Sequence, residues 1–401
     1  MQSAGHAAML RPMLDTVHDA AVSARDPRAR ARDLRPLVEA EAERTDQSLT
    51  LSAPLDDAFA DAGLFHLMVP REFGGAEADT DTILDVFADL AWADGSVGWS
   101  LMANASSTSY VSFIAPDAGA AMVRGNPRGC SAGMYAPLGG QAHKEGDRFR
   151  VSGTYGFGSG CAHASWFGGG AFEFHDGQMA PPDETGFPAM LCYYVPRESV
   201  EIRGNWDTLG LRGTGSFDYV VPEQLVDEGW TFPLLHAEVR TGGPLFHLGP
   251  IALAGLGHAG WAIGVGLRAL EEIEQVVKGG RMRLGQTMLK DQQVFQRELG
   301  VQRQAMRAAE LLAHDSFGRA VDHLSRGNPL TKAVLDDTRA ATSWVTRIEE
   351  EAVLFAYRNS GSAGLRNPSR IQRCLRDMMT GSRHVFVDDK NFEDAAQARL
   401  A

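Results

Sequence analysis

Apolar residues recur at intervals of three and four positions in the first and last parts of the chain, a period typical of amphipathic helices. The first part is interrupted at 69–75 by a Pro and a Gly-Gly pair, which predicts a break between helices. The last part has three long periodic stretches joined by short loops, so it predicts an antiparallel bundle. The clearest periodic stretches are 31–43, 82–92, 267–277, 294–312 and 333–355.

The middle of the chain follows a different pattern, because glycine, aromatic and β-branched residues dominate from about Gly125 to Trp230. Apolar and polar positions alternate over 149–155, which predicts a half-buried strand, and 191–195 and 219–221 also have strand composition. We therefore predict an α+β protein in three parts. The expected parts are an N-terminal helical domain over 1–125, a middle β domain over 126–235 and a C-terminal helical bundle over 236–401.

Composition and charge narrow the possible partners. The chain has 401 residues, 44% of them apolar, and a formal net charge of -13. Such an acidic surface repels phosphate groups, so we expect neither nucleic acid nor a membrane as a partner. The start of the chain lacks the features of a signal peptide, and the four cysteines show no CxxC spacing. We therefore expect a cytoplasmic protein with reduced thiols and no metal site.

Two glycine-rich segments in the middle part carry candidate binding residues. In 151–166 a predicted strand ends at Ser159 and Gly160, where the absence of a Cβ lets the backbone approach a planar ring closely. The Ser159 hydroxyl can both donate and accept a hydrogen bond. The simpler interpretation is an ordinary tight turn. The second segment, 206–216, contains Arg212 and Thr214, and its simpler interpretation is a loop that Arg212 braces.

Two further segments lie in the predicted bundle. Arg281 is followed by Gln292, and a guanidinium group makes paired hydrogen bonds to phosphate; the alternative is a solvated basic helix start. Arg376 and Asp377 are followed by His384. A spacing of seven residues predicts that Asp377 and His384 share one face of a helix. A lone histidine late in a helix is more often a surface or capping residue.

Together with the order helical, β, helical, these four segments resemble the acyl-CoA dehydrogenase superfamily. The resemblance is closer to its flavin-dependent two-component monooxygenases, the group D hydroxylases, and covers the chain from about Leu34 to its end. It implies an acyl-CoA dehydrogenase-like fold whose middle domain is β-barrel-like and whose C-terminal part is a four-helix bundle. Two departures are the Leu284 that replaces a family Phe, and the missing Tyr-Glu-Gly-Thr-like stretch that dehydrogenases show after the Arg-Asp pair.

The resemblance also implies roles for particular residues. Ser159 and His384 are the implied catalytic residues, with His384 as the base that takes a phenol proton, because histidine titrates near neutral pH. Arg281 and Gln292 resemble a clamp on the flavin phosphates that a neighbouring subunit supplies. The implied flavin-binding set is Ser159, Gly160, Arg212, Thr214, Arg281, Gln292 and Arg376. The implied substrate-binding set is Asn104, Ser107, His163 and Trp166. We expect Ser159 and His384 to face each other across one cleft of the size of a flavin ring.

The activity that the resemblance implies is hydroxylation of an aromatic or polyketide-like small molecule. A separate reductase would supply reduced FMN or FAD, oxygen would form a C4a-hydroperoxyflavin, and the protein would be a homotetramer. Three alternatives stay open: an acyl-CoA dehydrogenase with tightly bound FAD, an N- or S-oxygenase of the same fold, and a non-catalytic binding protein. In the dehydrogenase, a glutamate among Glu349, Glu350 and Glu351 is a possible base.

Residues 255–260 match the GxGxxG pattern of a nicotinamide-binding turn. That pattern should follow a β-branched strand, and only one β-branched residue lies in the six positions before it. Small residues continue through 266 at intervals that allow close helix packing. We therefore predict the first bundle helix here rather than a nicotinamide site, in agreement with a separate reductase.

Overall fold

The computed structural model describes residues 25–182, 186–282 and 285–400. The first helices are held at their starts by acidic side chains. Asp79 accepts the Thr82 amide at the start of α3, and Asp94 accepts the Ser96 and Val97 amides at the start of α4, as N-cap residues do. The helices of this first region are α1 Pro27–Ser48, α2 Ala53–Asp61, α3 Thr80–Ala93, α4 Gly95–Ser109 and α5 Pro116–Val123.

The strands of the middle region form one nine-stranded sheet in the order β7-β8-β3-β2-β4-β6-β9, with β1 and β5 both paired to β4. Most neighbours are antiparallel, but β1 and β2 run parallel to β4. Strand β3 ends at Gly158, so the segment that carries Ser159 leaves the sheet at this edge. The strands are β1 Ser131–Met134, β2 Gly140–Glu145, β3 Arg148–Gly158, β4 Trp166–His175, β5 Gln178–Met179, β6 Met190–Pro196, β7 Glu201–Ile202, β8 Phe217–Asp227 and β9 Thr231–Pro233.

The last region is helical and is built around α6. This helix packs against α3 and α4 of the first region and against α8 and α9 of its own region. Its glycines allow the close approach: a Cβ on Gly264 would lie 2.2 Å from the Ala88 carbonyl oxygen of α3. The helices are α6 Gly249–Lys278, α7 Gln293–Ser325, α8 Lys332–Ser360, α9 Arg370–Gly381 and α10 Lys390–Leu400, and α10 packs on α8.

Helix α6 and the turn before it, Pro244–Lys278, form a segment long and apolar enough to cross a membrane by length and composition. In its most apolar window 89% of the residues are buried inside the protein, which is the situation of a core helix in a bundle. The GxGxxG segment lies inside this helix, so the prediction of a bundle helix is confirmed at that position. The α+β, acyl-CoA dehydrogenase-like fold predicted from the sequence is confirmed as well.

Candidate functional site

Trp99 lies at the centre of a group of aromatic and polar side chains where the three regions meet. Its indole Nε1 donates a hydrogen bond to the Ser159 hydroxyl, 3.0 Å away. The indole ring also contacts the rings of Trp261, His258 and His384 edge-on, with centroid distances of 4.8, 5.4 and 5.5 Å. We call Trp99, Ser159, His258, Trp261 and His384 the junction cluster. It joins α4, the end of β3, α6 and the segment after α9.

The position of Trp99 follows from how α4 is held. The N-cap Asp94 accepts backbone amides of the first turn and forms an ion pair with Arg373 of α9, 3.1 Å apart. In addition, the Trp261 indole of α6 donates to the Gly95 carbonyl oxygen at 2.8 Å. The first turn of α4 is therefore fixed from two sides, and Trp99 lies one turn further along the same helix.

The hydroxyl of Ser159 continues into a chain of hydrogen bonds whose direction can be deduced. The Thr214 hydroxyl donates to the Leu211 carbonyl oxygen at 2.7 Å, which uses its one proton. The Ser216 hydroxyl, 2.7 Å from Thr214, must therefore donate to it, and Ser159, 2.7 Å from Ser216, must donate to Ser216. Since Trp99 donates to Ser159, the Ser159 oxygen keeps one free lone pair. We call Ser159, Ser216 and Thr214 the hydroxyl chain.

His384 lies outside a helix, which corrects the expectation that it shares a helix face with Asp377. Helix α9 ends at Gly381, and His384 follows in a turn. The helix ends here against Trp261: a Cβ on Gly381 would lie 2.2 Å from the Trp261 ring. The turn directs the imidazole to Trp99 and to Phe386, whose ring centroid is 4.4 Å away. Burial lowers the pKa of His384 to about 4, so its ring is neutral at pH 7.

Ser159 and His384 thus converge as predicted, but without an open cleft between them. Trp99 contacts both side chains, and its indole fills the space that separates them. Trp99 is only 6% exposed. The expected cleft is therefore closed in this structure. The sequence showed two flanking residues but could not show that an aromatic side chain of a third region stands between them.

His258 belongs to the same cluster, although the sequence gave no reason to select it. It lies inside the small-residue run of α6 that we interpreted as helix packing. The imidazole is fully buried, its centroid is 5.8 Å from that of His384, and neither ring nitrogen has a hydrogen-bond partner. Burial, and secondarily His384, lowers its pKa well below the usual value. The one available signal was a titratable residue in an otherwise apolar helix.

The predicted flavin-binding arginines Arg212 and Arg376 meet at one carboxylate. Both form ion pairs with Asp46 of α1, at 3.8 and 3.3 Å. Arg376 also donates to the Leu209 carbonyl oxygen, and Arg212 to that of Thr208. In this structure both residues brace the loop before the hydroxyl chain, and their contact with a flavin stays a prediction.

The same loop is held by a buried carboxyl group of α9. Asp377 accepts the Leu211 amide at 2.6 Å, while its second oxygen has no partner. Burial and the neighbouring Asp94 raise the pKa of Asp377 to about 7. Helix α9 therefore positions both the hydroxyl chain, through Leu211, and the turn that carries His384.

Three of the predicted substrate-binding residues hold α4 against the sheet. The Asn104 amide donates to the Ser131 carbonyl oxygen at 2.9 Å, and its side-chain oxygen is 2.7 Å from His163 Nε2. Ser107 donates to the same Ser131 carbonyl at 2.7 Å. Asn104 and Ser107 are buried. A Cβ on Gly160 would lie 2.3 Å from Asn104, so Gly160 allows this packing. Their contact with substrate stays a prediction.

The fourth predicted substrate residue, Trp166, lies at the start of β4. Its ring stacks on that of Trp230, with centroids 4.7 Å apart and planes inclined by 19°. This stacked pair belongs to the β domain and is separate from the junction cluster. A substrate contact of Trp166 therefore also stays a prediction.

Arg281 and Gln292 lie at the other end of α6, where they line one shallow pocket together with Asn359. The Arg281 guanidinium packs on Gly361, where a Cβ would clash with it. His258 precedes the end of α6 by 20 residues, which corresponds to about 30 Å along a helix axis. The pocket is therefore remote from the junction cluster of the same chain. Leu284, the departure from the family pattern, lies outside the described residues.

The surface beside Ser159 has the properties that a flavin ring requires. Phe157, two residues before Ser159, is 64% exposed at a positive φ of 63°, a conformation that is uncommon for a bulky residue. Its ring meets that of Trp206 edge-on at 6.2 Å. An exposed apolar surface next to a hydroxyl with a free lone pair fits an isoalloxazine ring, which is flat, largely apolar and polar at one edge. Within 25–182, 186–282 and 285–400, no group of three or more metal-ligating side chains occurs.

Comparisons with known proteins agree with this geometry. Residues 256–389 match the family described as acyl-CoA dehydrogenase, C-terminal domain. The chain is 26% identical to an indole-3-acetate monooxygenase of Pseudomonas putida, over 87% of each chain. It is 24% identical to the oxygenase component of a FADH2-dependent resorcinol hydroxylase of Rhizobium sp., over 88% of each. The solved structure of a 3-HSA hydroxylase from Rhodococcus sp. RHA1 superposes with a TM-score of 0.86, 21% identity and coverage of 94% and 97%.

The fold, the C-terminal match and the helix-sheet-helix order define the class: the chain belongs to the acyl-CoA dehydrogenase superfamily. Within that superfamily it is a flavin-dependent monooxygenase and therefore an oxidoreductase. The resemblance that the four segments indicated is confirmed.

Proposed function

We propose that this chain is the oxygenase component of a two-component system that hydroxylates an aromatic small molecule. A separate flavin reductase supplies reduced FMN or FAD, and the bound flavin supplies activated oxygen. The observation that carries the proposal is that the Ser159 hydroxyl and the His384 imidazole contact one and the same indole, that of Trp99. A flavin-side hydroxyl and a neutral base thereby share one buried site.

The direction of the hydroxyl chain favours reduced flavin over oxidised flavin. Ser159 uses its proton on Ser216 and keeps a lone pair free. Reduced flavin carries a hydrogen on N5 and can donate to that lone pair, whereas oxidised flavin has only a lone pair at N5. An oxygenase that receives its flavin already reduced needs this preference, so the chain supports a flavin-binding role for Ser159.

His384 is suited to accept a proton from a phenolic hydroxyl. Because burial lowers its pKa to about 4, the imidazole is unprotonated at neutral pH and available as a base. Removal of the phenol proton makes the aromatic ring more nucleophilic, which is what attack on an electrophilic oxygen requires. The aromatic walls formed by Trp99, Trp261 and Phe386 keep water away from this position, and a dry site limits loss of oxygen as peroxide.

The competing dehydrogenase reading receives little support from the glutamates before α9. Glu349 is fully buried inside the bundle, where it faces Gly266 of α6, and Glu350 is near Arg383 at 3.4 Å. A base for α-proton abstraction has to touch substrate, and Glu349 has no exposed surface. N- or S-oxygenation differs from the leading proposal only in the substrate atom that receives oxygen.

We further propose a homotetramer in the cytoplasm. Arg281 and Gln292 lie about 30 Å from His258 along α6, too far to bind the phosphates of a flavin at the junction cluster of the same chain. Their role as a phosphate clamp therefore requires a neighbouring subunit, which brings its own pocket to the flavin.

The deciding experiment is an anaerobic titration of the purified chain with reduced FMN, reduced FAD and their oxidised forms, followed by oxygen and a phenolic substrate. We expect tighter binding of the reduced forms and hydroxylated product in proportion to the oxygen consumed. Tight binding of oxidised FAD together with oxidation of an acyl-CoA would favour the dehydrogenase. No binding of any flavin would reject both enzymatic readings.

A further inference from the structure

His258 presents two hydrogen-bonding nitrogens that the protein does not use. The side chain is fully buried, and both Nδ1 and Nε2 are without a partner. Buried polar groups in folded proteins are paired in the great majority of cases. An imidazole with two unpaired nitrogens, beside a candidate catalytic base, therefore indicates a site that an occupant completes.

The surroundings of His258 define what this occupant is. Its ring is enclosed by the rings of Trp99, Trp261 and Phe386, at centroid distances of 5.4, 5.4 and 6.4 Å. The remaining ring neighbour is His384 at 5.8 Å, inclined by 37°. The walls suit an aromatic ring, and the two imidazoles are the polar groups. An aromatic molecule with one polar substituent matches this arrangement.

The distance between the imidazoles suits a single oxygen atom. Two hydrogen bonds of about 2.8 Å to one oxygen connect nitrogens up to about 5.6 Å apart. Ring centroids separated by 5.8 Å place the nearest atoms of the two rings closer than that. A neutral imidazole has one N–H donor and one acceptor nitrogen, so one ring can donate to the oxygen while the other accepts its proton.

We propose that His258 and His384 together bind the hydroxyl oxygen of a phenolic substrate, with His258 as the donor and His384 as the proton acceptor. The step converts the phenol and neutral His384 into a phenolate and protonated His384. His258 stays neutral and its N–H stabilises the phenolate oxygen. This inference rests on the proposed function and deepens it, because it selects hydroxylated aromatics over substrates that are oxidised at nitrogen or sulfur.

The test compares two ligands of similar shape, 2-naphthol and 2-methylnaphthalene, of which only the first carries a hydroxyl. Dissociation constants are measured anaerobically in the presence of reduced FMN. We expect the native protein to prefer 2-naphthol by about tenfold, the factor that 1.4 kcal/mol provides. In His258→Phe, which keeps an aromatic ring but no nitrogen, the preference should fall to about one because only the affinity for 2-naphthol is lost.

Matched variants separate recognition from packing. His258→Gln retains an N–H donor and should recover part of the preference, whereas His258→Leu, of similar size, should not; this pair also replaces His258→Phe if that variant fails to fold. A preference that is unchanged in His258→Phe, or equal losses for both ligands, would overturn the proposal. So would a native protein that binds the two ligands equally, or a water molecule that stays on His258 when 2-naphthol binds in a crystal structure.

A parallel measurement of product formed per oxygen consumed tells this inference apart from the proposed function. If the native protein hydroxylates 2-naphthol and His258→Phe keeps the ligand preference, only the role of His258 is wrong. If the preference depends on His258 but no phenol is ever hydroxylated, the recognition site stands and the monooxygenase proposal fails.

Discussion

The junction cluster and the interior of the C-terminal bundle each contain a fully buried titratable side chain without a hydrogen-bond partner. In the cluster it is His258, and in the bundle it is Glu349 of α8. His258 is surrounded by aromatic rings and a second imidazole, so several groups converge on one small volume. Glu349 faces Gly266, and burial, with Glu310 as the further cause, raises its pKa well above the usual value. An unpaired buried group thus indicates a binding site only where other functional groups converge on it.

The space around the two groups differs as well. A Cβ on Gly266 would lie 1.8 Å from a Glu349 carboxyl oxygen, so the glycine only makes room for the carboxyl group between two packed helices. His258 instead adjoins the turn after α9, which is irregular and partly exposed at His384. A ligand can enter by a movement of that turn or of Trp99, while access to Glu349 requires the bundle itself to open. The following variants test this contrast.

The largest effect is expected for His384→Ala. Loss of a general base lowers a rate by about 10²–10⁴-fold, so hydroxylation should fall by at least about a hundredfold while reduced-flavin binding is retained. The measurements are product formed per oxygen consumed and the dissociation constant for reduced flavin. In the native protein, activity should persist down to about pH 4, the pKa of His384, instead of falling near 6.5.

His175→Ala provides the control for this variant, because His175 is an exposed histidine at the end of β4 that pairs with Glu173. It should behave as the native protein does. Equal losses of flavin affinity and hydroxylation in His384→Ala would mean that the residue shapes the site and does not act as the base.

A smaller effect is expected for Arg281→Ala at the far end of α6. A hydrogen bond to a charged group contributes about 1.5–3 kcal/mol, which corresponds to a loss of about tenfold or more in flavin affinity. Lys278→Ala is the matched control, since Lys278 is exposed at the same helix end, 3.8 Å from Glu274. Sedimentation measures the oligomeric state in parallel. An unchanged flavin affinity would contradict the phosphate clamp, and a monomer with full affinity would contradict its supply by a neighbouring subunit.

The contrast also explains what could be predicted from the sequence. The periodic stretches of α6, α7 and α8 are long and amphipathic, so the helices and their order followed from spacing alone. Ser159 and His384 could be selected because they lie in segments with recognisable local patterns. Their convergence, however, depends on Trp99, more than 50 residues before Ser159 and from another region, and no local pattern encodes such a contact.

His258 and the end of α9 show the limits in another way. The small residues around His258 gave a correct prediction of close helix packing, and this interpretation concealed the one polar side chain among them. The seven-residue spacing of Asp377 and His384 predicted a shared helix face, but α9 ends at Gly381 because Trp261 packs there. The stop results from a tertiary contact, which spacing cannot reveal.

In the bundle interior, Glu349→Met should raise stability. Removal of an unpaired buried polar group saves about 1–3 kcal/mol, offset in part by the imperfect fit of the methionine. The pKa of Glu349 is raised in the folded protein, so the native protein loses stability as pH rises above about 4.5, where the unfolded chain ionises. The gain in melting temperature should therefore be larger at pH 8 than at pH 4, with activity unchanged. A loss of activity would show that Glu349 is not isolated from the site.

The smallest effect is expected within the junction itself, for Ser216→Ala. This change removes the acceptor for the Ser159 proton, which lies 2.7 Å away in the native protein, and so frees Ser159 to donate. Oxidised flavin, whose N5 only accepts, should then bind about fivefold more tightly, roughly the value of one hydrogen bond of about 1 kcal/mol, while reduced flavin changes little. Ser165→Ala, which removes a hydroxyl elsewhere in the β domain, should leave both affinities as they are. If both flavin forms lose affinity equally in Ser216→Ala, the hydroxyl chain supports the loop without setting the redox preference, because only a change in the direction of the Ser159 hydrogen bond affects the two forms differently.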